Sequence, residues 1–153
     1  MNERRTLRKD TRAWYGPTVV ITVASDHRHR VVVGGIPIPH IGLVNMIARW
    51  RMPTEQRLTL TADHELGHIQ TFPLILLYLL LLASRCKKRF AWRRCLAGLV
   101  THHAAWELAA ECYVLIHHKD TRPYSSQGRV LYGLLWSGMA ALAIFSANLV
   151  LRD

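Results

Sequence analysis

Hydrophobic positions follow two regimes along the chain. Between residues 17 and 40 they come in short β-branched runs; from residue 54 onward they recur at helical spacing or fill whole segments. Thr18–Ala24, TVVITVA, predicts a strand. Val31–Val33 predicts a second, ended by Gly34–Gly35. The polar turn Ser25–Arg30, carrying His27 and His29, lies between them, so the pair reads as a hairpin or as two edge strands of a small sheet. Prolines at 37 and 39 make the following IPIPHIG segment, which holds His40, extended rather than helical. Ahead of the strands, residues 1–16 read as a basic arm, frayed over Met1–Arg12, with no apolar run of the kind that follows the basic start of a secretory signal.

Helical patterning takes over downstream. Ile41–Arg51 predicts a short helix stopped near Met52–Pro53. Thr54 is the expected cap of the next helix, which reaches Thr71–Ser84, TFPLILLYLLLLAS, where Pro73 is expected to kink or restart it. Arg85–Arg94 holds six basic residues in ten. Cys95–His118 predicts another helix, Lys119–Arg129 a polar loop, and Val130–Leu151 a helix of 22 residues without a charge. Such a segment meets the length of about 20 apolar residues that crosses a bilayer. The expected fold is α+β and mainly α-helical. It is a single domain over residues 1–153, with strands at 17–40, site-bearing helices at 54–118 and an apolar, transmembrane-length helix at 130–151.

Composition narrows the function classes. The chain has 153 residues, half of them hydrophobic, which suits one core and excludes a highly charged disordered chain. Its formal charge is +10. Beside so much apolar sequence, that charge points to a lipid surface at least as much as to nucleic acid. No helix-turn-helix, zinc finger or aromatic stacking motif supports nucleic-acid binding. The basic cluster at 85–94 is expected on the cytoplasmic side of a membrane. Cys86, Cys95 and Cys112 form no C-x-x-C pair, so a disulfide scaffold or zinc knuckle is not expected.

The chemistry concentrates in His64-Glu65-Leu66-Gly67-His68, an H-E-x-x-H pattern. On a helix, residues i and i+4 share a face, so both imidazoles can reach one Zn²⁺, and Glu65 can reach a water on that ion. Zinc brings such a water toward a pKa of about 7, and the carboxylate takes its proton. Gly67 inside a helix costs about 1 kcal/mol against Ala, which predicts a close neighbour there. A third ligand is still required. A histidine ten residues after the first would fall on Leu74, so that arrangement fails. The segment Thr101–Glu111 offers Glu107 and Glu111 on one face, with His103 a turn before Glu107. Carboxylates in so apolar a helix are costly unless partnered.

H-E-L-G-H followed by a helix with E-x-x-x-E resembles the gluzincin metallopeptidases. The resemblance rests on these two short motifs. It implies a compact zincin-like domain with His64, His68 and Glu107 as zinc ligands, Glu65 as general base and Glu111 as the acid that orients a zinc histidine. It implies hydrolysis of a peptide or protein substrate. Glu stands at 111 where Asp is commoner in that group, and the leucine-rich segment lengthens the gap between the motifs. Some membrane-linked members flank the catalytic pair with apolar helices. The H-E-x-x-H of intramembrane site-2-type proteases needs an Asp-Gly partner, and no Asp-Gly occurs here.

Other residues carry weaker expectations. His103 is a candidate substrate-side residue, as oxyanion stabiliser or fourth ligand. His102 is expected to be structural, and His117–His118 to cap the helix C-terminus. Tyr113 and Tyr124 are candidate donors that nothing in the sequence separates. Trp92 and Trp136 mark either membrane-interface levels or core positions. Val31–Val33 is the candidate sheet edge for an extended substrate. The leading expectation is a membrane-associated zinc peptidase; the alternative is a non-catalytic zinc-binding membrane protein acting in interaction or regulation.

Overall fold

The computed structural model describes residues 5–26, 28–38, 49, 52–85, 92–118 and 126–151. Among the described residues, four strands lead into three long helices: β1 Thr6–Arg12, β2 Thr18–Ala24, β3 His29–Val33, β4 Ile36–Ile38, α1 Thr54–Arg85, α2 Trp92–His117 and α3 Ser126–Leu151. The fold is α+β and mainly helical. The expected helix at Ile41–Arg51 lies outside the described residues except for Arg49.

The strands form an antiparallel meander in the order β1-β2-β3-β4. Val19, Ile21 and Val23 of β2 point inward and are fully buried. The turn into β4 uses Gly34 and Gly35, both at positive φ (56° and 85°), the backbone that a two-residue hairpin requires. Two expectations are corrected here. Residues 6–12 of the basic arm form β1, paired with β2 from Thr6↔Ala24 to Arg12↔Thr18. Its alternation is masked because Lys9 occupies an inward position, where it is ion-paired with buried Asp63 of α1. The outward face is charged, with Arg8 held to Asp10 at 3.0 Å, as suits an edge strand. Val31–Val33 is not an edge, since β3 is flanked by β2 and by β4, which pairs Val31 with Ile38.

α1 is the central element. Leu58, Ala62, Leu66 and Ile69 recur at helical spacing and pack under Val19, Ile21, Val23 and Val31 of the sheet. The opposite side meets α2, with Leu60 against Val114. Covered on two sides, every residue from 60 to 69 is buried. α2 runs antiparallel to α1, and α3 antiparallel to α2. Thr101 donates to Ser146 at 2.6 Å, while Tyr78, Ala97 and Val150 meet toward the far end.

The helix boundaries depart from expectation at three places. The first backbone bond of α1 runs from Arg57 N to the Pro53 carbonyl, so Pro53 and not Thr54 holds the cap position. α3 begins at Ser126, inside the expected polar loop, whose earlier residues lie outside the described set. α1 also passes Pro73 without restarting. Proline removes the N–H that the Ile69 carbonyl would accept. Tyr15 donates its hydroxyl to that carbonyl at 3.1 Å. Trp14 Nε1 donates to Gln70 O, and Trp106 Nε1 to His68 O, each at 2.8 Å. Thr71 Oγ1 donates to Gly67 O at 2.7 Å. Side chains from the β1–β2 turn, from α2 and from α1 itself thus occupy the carbonyls around the break.

Gly67 is where α1 and α2 come closest. A Cβ there would stand 2.7 Å from Ala110 O and 2.9 Å from Ala110 Cα, both backbone atoms that no rotamer change can move. The neighbour anticipated from the helical glycine is this carbonyl. Gly67→Ala is therefore expected to destabilise the protein by about 1–3 kcal/mol in spite of alanine's better helix propensity. The shift of the thermal or denaturant midpoint reads this out; a stabilised Gly67→Ala protein would contradict the contact.

Candidate metal centre

Four polar side chains bracket the Gly67–Ala110 contact. His64 and His68 stand three residues before and one after Gly67. Glu107 and Glu111 stand three before and one after Ala110. Helical spacing alone turns all four toward the crossing. Each is at most 7% exposed.

His64, His68 and Glu107 form a group that could hold a metal ion, with one ligand atom from each lying within 4.8 Å of the others. His64 Nε2 is 3.2 Å from Glu107 Oε2, and His68 Nε2 is 3.5 Å from Glu107 Oε1. Ligand atoms bonded at about 2.0–2.1 Å in a tetrahedral array sit about 3.3 Å apart, so these separations suit one first-row divalent ion. Donor chemistry agrees: two imidazoles and a carboxylate form a borderline set.

Glu111 stands behind the trio. His64 Nδ1 donates to Glu111 Oε2 at 2.9 Å, so Nε2, 3.2 Å from Glu107 Oε2, is the nitrogen that would face an ion held with Glu107 and His68. Arg49 donates to the same oxygen at 2.6 Å, and Tyr132 of α3 donates to Oε1 at 2.5 Å. Burial alone would push the Glu111 carboxyl up. The His64 bond, the Arg49 charge and the Tyr132 hydroxyl reverse this and hold it at about 2. Glu107 is likewise held below the usual carboxylate range, where hydrogen bonds from His64 and His68 outweigh burial. His68 moves the other way, because burial disfavours its charged form.

The remaining candidates divide. Glu65 is 1% exposed, and its charge acts on His68. His103 stays at the rim, its side chain 59% exposed and its Nε2 4.0 Å from Glu107 Oε1. His102 lies beside Trp106, with ring centroids 5.2 Å apart. Trp136 is core: it is 8% exposed, its ring 6.0 Å from that of His64. Trp92 is exposed. His117 Nδ1 donates to the Tyr113 carbonyl at 2.8 Å, as a C-terminal cap does. His118 instead reaches Asp63, at 2.6 Å, so Asp63 is pinned by Lys9 from the sheet and His118 from the end of α2. Tyr113 packs with the sheet-side core and stacks on His117; Tyr124, His27 and His40 lie outside the described residues.

Arg49 and Tyr132 were not singled out from the sequence. Arg49 closes the largely apolar stretch 41–48 with Arg51 two residues on, and nothing in the sequence separates the two as partner of a buried acid. Tyr132 carries no local signal, since it meets Glu111 from a different helix, 21 residues on. No family model, curated protein or solved structure matches the chain. The reading of the centre therefore rests on its own geometry.

Arg49 is 0% exposed, so its removal strands a buried carboxylate. Arg49→Ala is expected to cost about 3–5 kcal/mol, whereas the apolar pair Arg49→Met with Glu111→Leu recovers most of that stability while losing the orientation of His64. Denaturation midpoints of the two proteins make the comparison.

Proposed function

We propose that this protein is a zinc-dependent metallopeptidase acting at a membrane. The observation that carries the reading is the division of labour among the buried acids. Glu107 stands with His64 and His68 as a ligand set, Glu111 fixes the tautomer of His64, and Glu65 is left outside the ligand set beside them. This is the arrangement that the gluzincin resemblance implies for H-E-x-x-H with E-x-x-x-E.

A bound zinc ion would polarise a substrate carbonyl and acidify water at neutral pH. The chain's residues do the rest. Glu65 accepts the proton of the attacking water and passes it to the leaving amine. His64 and His68 present neutral nitrogens, and Glu107 supplies negative charge. Arg49 and Tyr132 keep Glu111 ionised, so that His64 holds its proton on Nδ1. His103, on the rim, is positioned to donate to the oxygen that gains charge during attack.

The membrane part rests on the helices. Tyr132–Leu151 is long and apolar enough to span a bilayer, and only 22% of its most apolar window is buried. A core helix of a soluble protein would be mostly covered. Leu74, Leu76, Leu77, Leu80 and Leu81 of α1 are exposed as well, at the end of the molecule where Leu96 and Leu99 of α2 are also exposed. Lipid chains are the cover that we assign to this surface, and the basic segment 85–94 beyond it suits anionic headgroups on the cytoplasmic side.

A second reading keeps the metal and drops the chemistry: a closed zinc site joining α1 and α2 in a membrane protein that serves interaction or regulation. The burial of every ligand favours it. His103 separates the two, since a closed site needs it as fourth ligand.

Glu65→Gln is expected to retain one zinc per chain by elemental analysis while losing peptide hydrolysis by at least about 100-fold. Full activity in that variant would sink the mechanism. Loss of zinc from His103→Ala would select the closed site instead. Purified protein mixed with liposomes is expected to float with them and to resist alkaline extraction; recovery in the soluble fraction would remove the membrane from the proposal.

A further inference from the structure

Tyr132 is the first residue of the apolar stretch Tyr132–Leu151, yet its hydroxyl lies 2.5 Å from Glu111 Oε1. The other carboxylate oxygen, Oε2, already receives His64 Nδ1 at 2.9 Å and Arg49 Nη2 at 2.6 Å. A carboxylate gripped at one oxygen can still rotate about its Cγ–Cδ bond and exchange oxygens. Gripped at both, it cannot. Trp136, one turn further along α3, closes the same side, with ring centroids 6.0 Å from both His64 and Tyr132. Among the described residues, the other polar contact of α3 to α2, Ser146 with Thr101, lies toward the far end.

We propose that Tyr132 is a positioning residue through which α3 orders the metal centre. Its hydroxyl locks Glu111, and Glu111 in turn locks the His64 ring with Nε2 turned toward His68 and Glu107. The helix that we assign to lipid is then also the last piece of the ligand set's support, so the centre reaches full metal affinity only with α3 docked on α2. This inference deepens the proposed function and rests on its metal site.

The test uses the full chain in detergent with Tyr132→Phe, which keeps the ring and removes only the hydroxyl. Zinc affinity, measured by competition with a chromophoric chelator, is expected to fall about tenfold, at the low end of what losing support behind a ligand costs. Proton NMR of the metal-free protein is expected to show the His64 Nδ1–H, donated to Glu111, as one sharp resonance in wild type and as a shifted or broadened one in Tyr132→Phe. That signal reports the Tyr132–Glu111–His64 chain whether or not zinc binds. A wild-type protein that shows the sharp resonance but takes up no zinc therefore overturns the proposed function and leaves the positioning role standing. If Tyr132→Phe does not fold, 3-fluorotyrosine at position 132 keeps the shape and strengthens the donor, and is expected to shift the His64 Nδ1–H resonance. Zinc affinity within twofold of wild type together with an unmoved His64 signal in the variant that folds overturns the inference.

Discussion

The centre exists because two helix backbones touch. Where Gly67 meets Ala110 no side chain intervenes, and a Cβ on Gly67 would collide with the Ala110 carbonyl. The axes are therefore near enough for short side chains flanking the contact to meet. The spread of the candidate ligand atoms is thus set by backbone contact first and by side-chain identity second. The residue that sets it is the one with no side chain at all.

A second constraint follows from burial. α1 carries Asp63, His64, Glu65 and His68 through a stretch covered by the sheet on one side and α2 on the other. Ionisable groups there are tolerable only with partners. Asp63 is matched by Lys9 and His118, and Glu111 by Arg49, His64 and Tyr132. The partners come from β1, from the end of α2, from the segment before α1 and from α3. β1, the end of α2, the segment before α1 and α3 are thus each tied to a buried carboxylate, Asp63 or Glu111, beside the candidate ligands.

This explains what could be read from the chain and what could not. The trio and Glu111 are legible because their relations are local: i to i+4 on one helix, twice. Gly67 is legible because a glycine inside a helix is costly without a reason. The strand pattern of β2 is plain, as all its inward residues are apolar. β1 is hidden, because its inward Lys9 looks like part of a basic arm until Asp63 is placed opposite. Arg49 and Tyr132 are hidden for the same reason: their role depends on an acid 62 residues away in one case and 21 in the other. Local patterning carries the ligands, while their supports come from tertiary pairing.

The carbonyls around Pro73 give α1 one more property. Above that turn the helix is wedged between sheet and helix; below it, leucines face outward. At the turn itself, phenol and indole groups hold the chain from outside where a peptide N–H is missing. Tyr15 and Trp14 tie this joint to the β-meander, and Trp106 ties it to α2 at the carbonyl of His68 itself. The joint divides α1 into an arm with exposed leucines and an arm covered on two sides, and the two candidate ligand histidines ride on the second.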